Sequence, residues 1–424
     1  MSARPPLRAA LAGGAALALV VVAVGCSGPS RRSVTPVVEP AVAGPTATSS
    51  PDPAAADAAK GFLRSLSDGR YDDMWDMLAA APRAFWGASD PFGAFLDRKF
   101  GSLDLSFDIG TPATAADWRD PESGAQYPLA VTVPITLRVA GRVAPEFSLA
   151  PLALVQENGH WRVAGVGPAA RRAPAVFPPP ASTAALSVPT LVYHHVSQET
   201  PADFEQRTIT VASAAFEDQL AYLQQSGYHT ITTAELANAL FYGLPLPDKP
   251  VLLTFDDGYQ DAFTDAFPIL QRYGFSGVFA LITGFVGGAG YLTWDQVQSM
   301  SGAGMEFVSH TVHHVDLGSV PAEAAGDELR QSRADLEAHL GRPVQVLVYP
   351  YGEPFAHGTP EQQQAIVQLL RQEAYVAAFA NPLPNSPPDI TQHADLPYQL
   401  ARVMVSGGLP LNRFAARLEG SDLQ

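Results

Sequence analysis

The sequence predicts an α/β fold for the C-terminal half of the chain, preceded by a smaller α+β domain. From Val188 onward, short apolar runs typical of buried strands alternate with amphipathic segments typical of helices. Between residues 56 and 167, helical segments come first and segments of period two follow. Stretches rich in Pro and Ala flank this block at 27–55 and 168–187, and we interpret them as a disordered linker and an interdomain linker.

Composition and charge narrow the possible functions. A chain of 424 residues has room for two or three domains, and 47% hydrophobic with 16% charged residues is typical of a globular protein. With 26 basic and 42 acidic residues, the net charge is −16. This charge would repel a phosphate backbone, so a nucleic acid is not expected as partner.

The N-terminus has the layout of a secretory signal. Residues 1–26 run from a short basic start through an apolar stretch to Cys26, the only cysteine of the chain. The segment Val21–Cys26 resembles a bacterial lipobox, which implies acylation of Cys26 and anchoring to the outer face of the cytoplasmic membrane. An uncleaved membrane anchor and ordinary signal cleavage beside the cysteine are the alternatives. All three predict an extracytoplasmic protein.

The first folded block, residues 56–167, begins with a helix that is predicted to stop at Asp68-Gly69. The segment DGRYDDMWDML follows, then alternating strands and a final GHWRV strand. This order resembles the NTF2-like domains found at the front of some penicillin-binding proteins, which implies a spacer or docking module. His160 and Trp161 are interpreted as strand and core residues.

The second block, residues 188–424, alternates strands with helices. The predicted strands are Thr190–Tyr193, Val251–Phe255, Val278–Ile282, Glu306–Ser309, Val344–Tyr349 and Tyr375–Phe379. Helices are predicted from Ser213, from a capping box at Thr232 and Glu235, near Asp265, near Trp294, from Pro321 and from Thr359. The alternation predicts a parallel α/β barrel or a wound sheet, with the active site at the carboxyl ends of the strands.

Candidate chemistry follows two of these strands. Asp256 and Asp257 come directly after one strand, and two adjacent carboxylates at a strand end favour a bound cation or proton. His310 and His314 follow another strand, and their four-residue spacing predicts that they share one side of a helical turn. Two imidazoles and one carboxylate make a three-ligand site for a divalent metal. Either motif alone is more typical of a turn or an exposed helix, but both at strand ends favour a site.

Three segments carry a family resemblance. LLTFDDGY, SHTVHHVDL and LVYPYG resemble the first three motifs of the polysaccharide deacetylases of the NodB-homology type, carbohydrate esterase family 4, and the likeness spans nearly all of 188–424. The segments LVYHHV, FEDQLAYLQQSGYHTITTAEL, PLPDKPVLLTFDDGY and LTWDQVQSM place it near the branch that deacetylates poly-N-acetylglucosamine. The implied fold is a distorted (β/α) barrel.

The resemblance also assigns roles. It implies that Asp257, His310 and His314 bind the metal, which would be zinc, with cobalt or nickel as alternatives, and that Asp256 is the catalytic base. His313, between the two ligands, is expected to point away from the metal.

It further implies that the backbone N–H of Tyr351 serves the oxyanion and that Trp294 and Asp295 form a wall of the substrate groove.

The sequence departs from the family pattern in two places. Val348 stands where many members carry an arginine that orients the base. The C-terminal motif that supplies the general acid in many members is not visible, which leaves His393, His194 or Asp256 itself as candidates. Arg402 is interpreted either as orienting a carboxylate or as part of a structural salt bridge.

The implied function is a metal-dependent hydrolase that removes N-acetyl groups from an N-acetylglucosamine-containing polysaccharide, either an exopolysaccharide or peptidoglycan. An O-acetyl polysaccharide esterase and a non-catalytic carbohydrate-binding protein on the same fold are the alternatives. The paired carboxylates and histidines favour an enzyme, because a binding protein has little need for a base beside the metal. The predicted partners are the acetylated polysaccharide and, through the N-terminal lipid, the membrane.

Overall fold

The computed structural model describes residues 52–120, 125–140, 142–143, 151–166, 168–199, 201–382 and 387–421. Residues 47–424 form one compact unit. Cys26 and the predicted signal peptide lie outside the described residues. None of the helices in the described ranges is long and apolar enough to cross a membrane.

The N-terminal region, residues 52–166, has helices first and strands second. Its helices are α1 (Pro53–Ser67), α2 (Tyr71–Asp76), α3 (Ala80–Trp86) and α4 (Ser89–Phe100). Its strands are β1 (Leu105–Ile109), β2 (Ala113–Arg119), β3 (Gln126–Val133), β4 (Ile135–Val139), β5 (Arg142–Val143), β6 (Leu152–Glu157) and β7 (His160–Val163). The strands pair antiparallel in two sheets, ordered β1-β4-β5 and β2-β3-β6-β7. The α+β order expected here is confirmed, whereas the NTF2-like resemblance stays a prediction.

The C-terminal region, residues 185–421, alternates strands and helices. Its strands are β8 (Ala185–Ser187), β9 (Thr190–Tyr193), β10 (His195–Ser197), β11 (Thr210–Ala212), β12 (His229–Thr230), β13 (Pro250–Phe255), β14 (Val278–Leu281), β15 (Glu306–Ser309), β16 (Val346–Val348), β17 (Ala377–Phe379), β18 (Thr391–His393) and β19 (Val403–Met404). Its helices are α5 (Phe204–Ile209), α6 (Ser213–Gln225), α7 (Thr233–Tyr242), α8 (Phe267–Tyr273), α9 (Trp294–Gly302), α10 (Ala322–Leu340), α11 (Pro360–Gln372) and α12 (Leu411–Leu418).

The main sheet of the C-terminal region is parallel and confirms the α/β prediction. Its strands run in the order β17-β16-β15-β14-β13-β9-β19, with β12 beside β13, and they form a half-barrel. Strands β9, β14, β16 and β17 are buried along their whole length and β15 is buried after its first residue, because helices cover the sheet. All carboxyl ends of these strands therefore meet at one edge, where a site is expected.

Local capping signals explain where several helices begin. Thr232 and Glu235 form the predicted capping box before α7, and Thr359 with Gln362 forms another before α11. Ser213 is the first helical residue of α6 instead of its N-cap. The observed strands β14, β16 and β17 are shorter than predicted, because the flanking residues leave the hydrogen-bonded ladder.

A buried lysine joins the two regions. Lys99 on α4 is 3% exposed, and its Nζ donates to Oδ1 of Asn238 on α7 at 3.2 Å. The rings of Phe95, Phe100 and Tyr242 surround the ammonium at 5.3–5.8 Å. These rings attract a cation, yet burial is the larger effect and lowers the pKa of Lys99 to about 7.

This lowered pKa makes a prediction about stability and pH. Between the folded pKa of about 7 and the ordinary value of 10.5, the unfolded chain holds a proton that the folded chain lacks. The free energy of unfolding therefore gains a contribution that rises with pH across this window, by up to about 1.4 kcal/mol per pH unit. In Lys99→Met, the free energy of unfolding is expected to lack this rise with pH. Urea unfolding series at several pH values measure it.

The control for this comparison is Lys60→Met. Lys60 is exposed and pairs with the exposed Asp57 at 3.2 Å, so its removal is expected to leave the slope unchanged. Equal slopes for Lys99→Met and the wild type would contradict the prediction.

Candidate active site

The two carboxylates lie at the end of β13. The backbone N–H of Asp256 donates to the carbonyl of Tyr193 at 2.9 Å, which continues the pairing of β13 with β9. The chain then turns sharply, with φ of 71° at Asp257 and 80° at Gly258. A Cβ on Gly258 would lie 2.7 Å from Cδ2 of Leu281, so this turn needs glycine. Asp256 and Asp257 are 2% and 7% exposed, and both lie at the carboxyl end of β13.

The two histidines follow β15, but not on a helical turn. His310 continues the pairing of β15 with β14 by donating its backbone N–H to the carbonyl of Leu281 at 3.0 Å. Thr311 and His314 then adopt φ of 66° and 58°, and His314 N–H donates to Oγ1 of Thr311 at 3.0 Å. The expected helical turn is therefore wrong, because positive φ values break a right-handed helix. The irregular turn still brings the two imidazole rings within 4.8 Å of each other.

The two imidazoles and one carboxylate fit a divalent metal. Nε2 of His310 and Nε2 of His314 each lie 3.3 Å from Oδ1 of Asp257. The candidate ligand atoms of the three residues are all within 4.8 Å of one another. Oδ1 of Asp257 is buried and accepts no hydrogen bond in the described structure. A buried carboxylate oxygen facing two imidazole nitrogens is the donor set of a tetrahedral metal site with an open position.

Hydrogen bonding and burial prepare the histidines as ligands. Nδ1–H of His310 donates to the carbonyl of Val348 at 2.7 Å, which leaves the lone pair of Nε2 directed at Asp257. Burial, aided by the neighbouring His310, lowers the pKa of His314 to about 4. His314 is therefore neutral at neutral pH, as a metal-binding imidazole must be.

Asp256 is held by a buried arginine from the far end of the chain. Nη1 of Arg402 donates to Oδ1 of Asp256 at 2.8 Å, and Arg402 is 1% exposed. The guanidinium also donates to the carbonyl of Ala380 at 3.3 Å and to the side chain of Asn381. Burial alone would raise the pKa of Asp256, but the Arg402 guanidinium and nearby histidines hold it below its usual value. Asp256 is thus ionised at neutral pH.

In many members of the family that the sequence resembles, an arginine at the position of Val348 orients the catalytic base. Here Arg402 holds the carboxylate of Asp256. This contact agrees with both interpretations of Arg402 left open by the sequence, because it orients the carboxylate of Asp256 and is also a buried salt bridge. It also links strand β19 to the end of β13 through one buried ion pair.

The candidate general acids occupy different places. His194, between β9 and β10, is half-buried, and burial lowers its pKa while the nearby Asp256 and Asp257 oppose that effect. It therefore lies beside the two carboxylates. His393 is exposed on β18, a strand that pairs with β8, instead of in the expected loop.

The remaining predicted residues lie at the rim or beyond it. Tyr351 has φ of 58°, is 62% exposed, and its ring lies 4.4 Å from that of His314. Trp294 stacks on His339 with ring centroids 3.7 Å apart, near the end of α10. Asp295 is exposed in the first turn of α9. The structure brings Tyr351 to the metal ligands, while the groove role of Trp294 and Asp295 stays a prediction.

His313 points away from the metal ligands as expected. Its Nδ1 contacts Oε1 of Glu328 at 2.7 Å, and its side chain is 66% exposed.

Three residues near the site were not singled out from the sequence. The Tyr259 hydroxyl lies near the carboxylate of Asp257, and burial followed by the charge of this carboxylate raises the pKa of Tyr259. The Tyr259 ring stacks on His195 at 3.8 Å, and Nδ1 of His195 contacts Oδ2 of Asp261 at 2.7 Å. Their position in the sequence could have identified two of them, because Tyr259 and Asp261 lie within three residues after the Asp-Asp-Gly turn.

Comparison with known proteins agrees with this geometry. Residues 243–378 match the family model described as polysaccharide deacetylase. A Bacillus subtilis protein named as a candidate polysaccharide deacetylase, YxkH, is 26% identical over 232 residues, 55% of this chain and 76% of the relative. The poly-beta-1,6-N-acetyl-D-glucosamine N-deacetylase of Escherichia coli is 33% identical over 135 residues, 28% of this chain. This chain spans only 20% of that relative's length.

A solved structure shares the fold. The Streptococcus pyogenes deacetylase PplD, in complex with acetate, superposes with a TM-score of 0.50 at 24% identity, over 57% of this chain and all of that chain. The matched family segment contains β13 to β16, the first two residues of β17, and all of Asp256, Asp257, His310 and His314. Residues 243–378 therefore match the polysaccharide deacetylase family model, and the similarity to deacetylase relatives supports a deacetylase-type hydrolase.

Proposed function

We propose that this protein removes N-acetyl groups from a polysaccharide that contains N-acetylglucosamine. The observation that carries the proposal is the ionised, arginine-held Asp256 beside the three-residue group of Asp257, His310 and His314. The E. coli relative named for poly-N-acetylglucosamine supports this substrate class. A base beside three metal-ligand side chains is suited to hydrolysis with an activated water.

Asp257, His310 and His314 would hold the metal, for which we propose zinc, with cobalt or nickel as alternatives. When bound, such an ion polarises an acetyl carbonyl and lowers the pKa of a water. Asp256 takes the proton of the attacking water with its free carboxylate oxygen, while Arg402 holds the other oxygen in place. The backbone N–H of Tyr351 is the proposed donor to the oxyanion.

The leaving sugar amine needs a proton, and we assign its delivery to His194. His194 follows Tyr193, which pairs with Phe255 just before the two carboxylates, and its charge interacts with both of them. His393 is on an exposed edge strand and is set aside. Asp256 acting as both base and acid is the competing assignment.

The test is acetate release from chitooligosaccharides, poly-N-acetylglucosamine and purified peptidoglycan, with and without a chelator. The wild type is expected to release acetate and to lose this activity with chelator. Asp256→Asn is expected to lower the rate at least about 100-fold, because a positioned base contributes about 10²–10⁴-fold. His194→Gln is expected to lower the rate of acetate release, because the leaving amine loses its proton donor. The dependence of this rate on pH is expected to change on the basic side.

Several results would overturn the proposal. Acetate release from acetylated xylan but from no N-acetylated glycan would favour an O-acetyl esterase. Glycan binding without chelator-sensitive release from any substrate would favour a carbohydrate-binding protein. Full activity of Asp256→Asn would remove Asp256 as the base.

We further propose that the protein is exported and held at the outer face of the cytoplasmic membrane by a lipid on Cys26. The lipobox resemblance of Val21–Cys26 supports this placement. Cys26→Ala is expected to lose incorporation of labelled palmitate, and incorporation that survives the substitution would refute lipidation.

A further inference from the structure

A cavity of about 740 Å³ lies between the N-terminal and C-terminal regions. Helices α1 and α4 form one wall, and helix α7 with the starts of β15 and β16 forms the other. Its apolar lining includes Phe62, Phe92, Phe95, Phe100, Phe307 and Val346. This volume is within the range of about 300–1,000 Å³ typical of ligand pockets.

The cavity is separate from the candidate active site. It touches Glu306 and Val346, the first residues of β15 and β16, whereas His310 and Tyr351 follow the last residues of the same strands. The sheet itself stands between them. A ligand in this cavity therefore serves a purpose other than the deacetylation chemistry.

One cation faces this apolar space without an acidic partner. Lys99 lines the cavity, and among the described residues it makes no ion pair. Its ammonium has three N–H donors, and Oδ1 of Asn238 accepts one of them. Protonated Lys99 is thus able to donate its remaining N–H groups to an anion that enters the cavity.

The other charged groups along the lining are already engaged or lie at its edge. Both carboxylate oxygens of Glu306 accept hydrogen bonds from Thr233, from the N–H at 2.6 Å and from the hydroxyl at 2.7 Å. Arg342 is exposed and donates to the carbonyl of Met305 at 3.2 Å. Asp120 and Arg172 also line the cavity, and each makes contacts of its own.

We propose that this cavity binds a long-chain carboxylate, with the acyl chain among the phenylalanine rings and the carboxylate hydrogen-bonded to Lys99. The apolar walls offer few partners to water or to a sugar, so they select a hydrocarbon chain. A single lysine matches the single charge of a carboxylate, whereas a phosphate needs several donors.

The ligand would also contact both regions of the chain. Phe62 and Phe95 belong to the N-terminal region, and Phe307 belongs to the C-terminal region. Binding therefore stabilises their association.

The test is isothermal titration of the full-length protein with dodecanoate and with methyl dodecanoate, which lacks the charge. The wild type is expected to bind dodecanoate about tenfold or more tightly than the ester, because a hydrogen bond to a charged group contributes at least this much. Lys99→Met is expected to lose the preference while it keeps its affinity for the ester. Lys60→Met, an exposed lysine outside the cavity, is the matched control and keeps the preference.

A second variant tests the location. Ala234→Trp places a large ring at the cavity wall and is expected to weaken both ligands at least about tenfold, since it removes apolar burial. Circular dichroism and thermal melting show whether each variant is folded. Equal affinity for acid and ester in the wild type, or no binding, would overturn the proposal.

Other outcomes would contradict the assignment of Lys99 as the partner of the carboxylate, or the location of the ligand. A preference that survives Lys99→Met, or one that disappears only in Arg342→Gln, would place the carboxylate elsewhere. Unchanged affinity in folded Ala234→Trp would place the ligand outside this cavity.

Discussion

Arg402→Met is expected to cost both stability and acetate release, with a loss of about 3–5 kcal/mol in the free energy of unfolding at neutral pH. The substitution leaves the carboxylate of Asp256 buried without its counterion, and breaking one partner of a buried ion pair has this order of cost. Asp256 then becomes protonated more readily, so less of the enzyme holds an ionised base. The rate is expected to fall at least about 100-fold.

The pH dependence has a definite sign. Arg402 holds the pKa of Asp256 below the ordinary value of 3.8, so the pair stabilises the fold above that pH. Its contribution is lost as the pH falls through the lower pKa of the folded state. The difference in stability between the wild type and Arg402→Met is therefore expected to narrow on acidification in urea unfolding series.

A double variant separates the charge from the packing. Asp256→Asn combined with Arg402→Met removes both charges, and most of the lost stability is expected to return while the rate of acetate release stays low. Arg330→Met, which removes an exposed arginine paired with Asp327 at 2.8 Å, is the matched control and is expected to cost less than about 1 kcal/mol. A stable, fully active Arg402→Met would contradict the role given to this pair.

His314→Ala is expected to weaken binding of Zn²⁺ or Co²⁺ more than about 100-fold. It removes one of three ligand side chains, and the loss of even a group that only orients a ligand costs about 10–100-fold. The measurement is titration of metal-free protein with each ion. Burial and the neighbouring His310 lower the pKa of His314 to about 4, so the His314 imidazole is neutral and available to a metal at neutral pH.

His313→Ala is the neighbouring control. The His313 side chain is exposed and contacts Glu328, so its removal is expected to leave metal affinity unchanged. Equal losses in His313→Ala and His314→Ala, or wild-type affinity in His314→Ala, would contradict the assigned ligands.

The sequence predicted the site where local pattern and position coincide. Asp256, Asp257, His310 and His314 were found because they follow apolar strands, and parallel strands bring their carboxyl ends to one edge. The path between His310 and His314 was predicted wrongly, because nothing in SHTVHHV marks the positive φ values of Thr311 and His314. The four-residue spacing indicated that His310 and His314 lie close together. They do, but through an irregular turn instead of a helical one.

Arg402 and Lys99 show the limit of local reasoning. Arg402 is 146 residues from its partner Asp256, and Lys99 is 139 residues from Asn238. Neither pairing leaves a periodic or local signal, because only the folded arrangement brings the partners together. Arg402 was noticed as a candidate, but its partner was not identified, and burial of Lys99 was not expected from a charged residue.

The position of β19 at the edge of the sheet sets the order in which the site is completed during synthesis. A growing chain that ends before this strand already contains the two carboxylates and both imidazoles, but it lacks the guanidinium that keeps Asp256 ionised. The edge of β9 is also uncovered until β19 arrives. A polypeptide truncated after β17 is therefore expected to release acetate at least about 100-fold more slowly than a chain that includes β19, and to leave one edge of the sheet open.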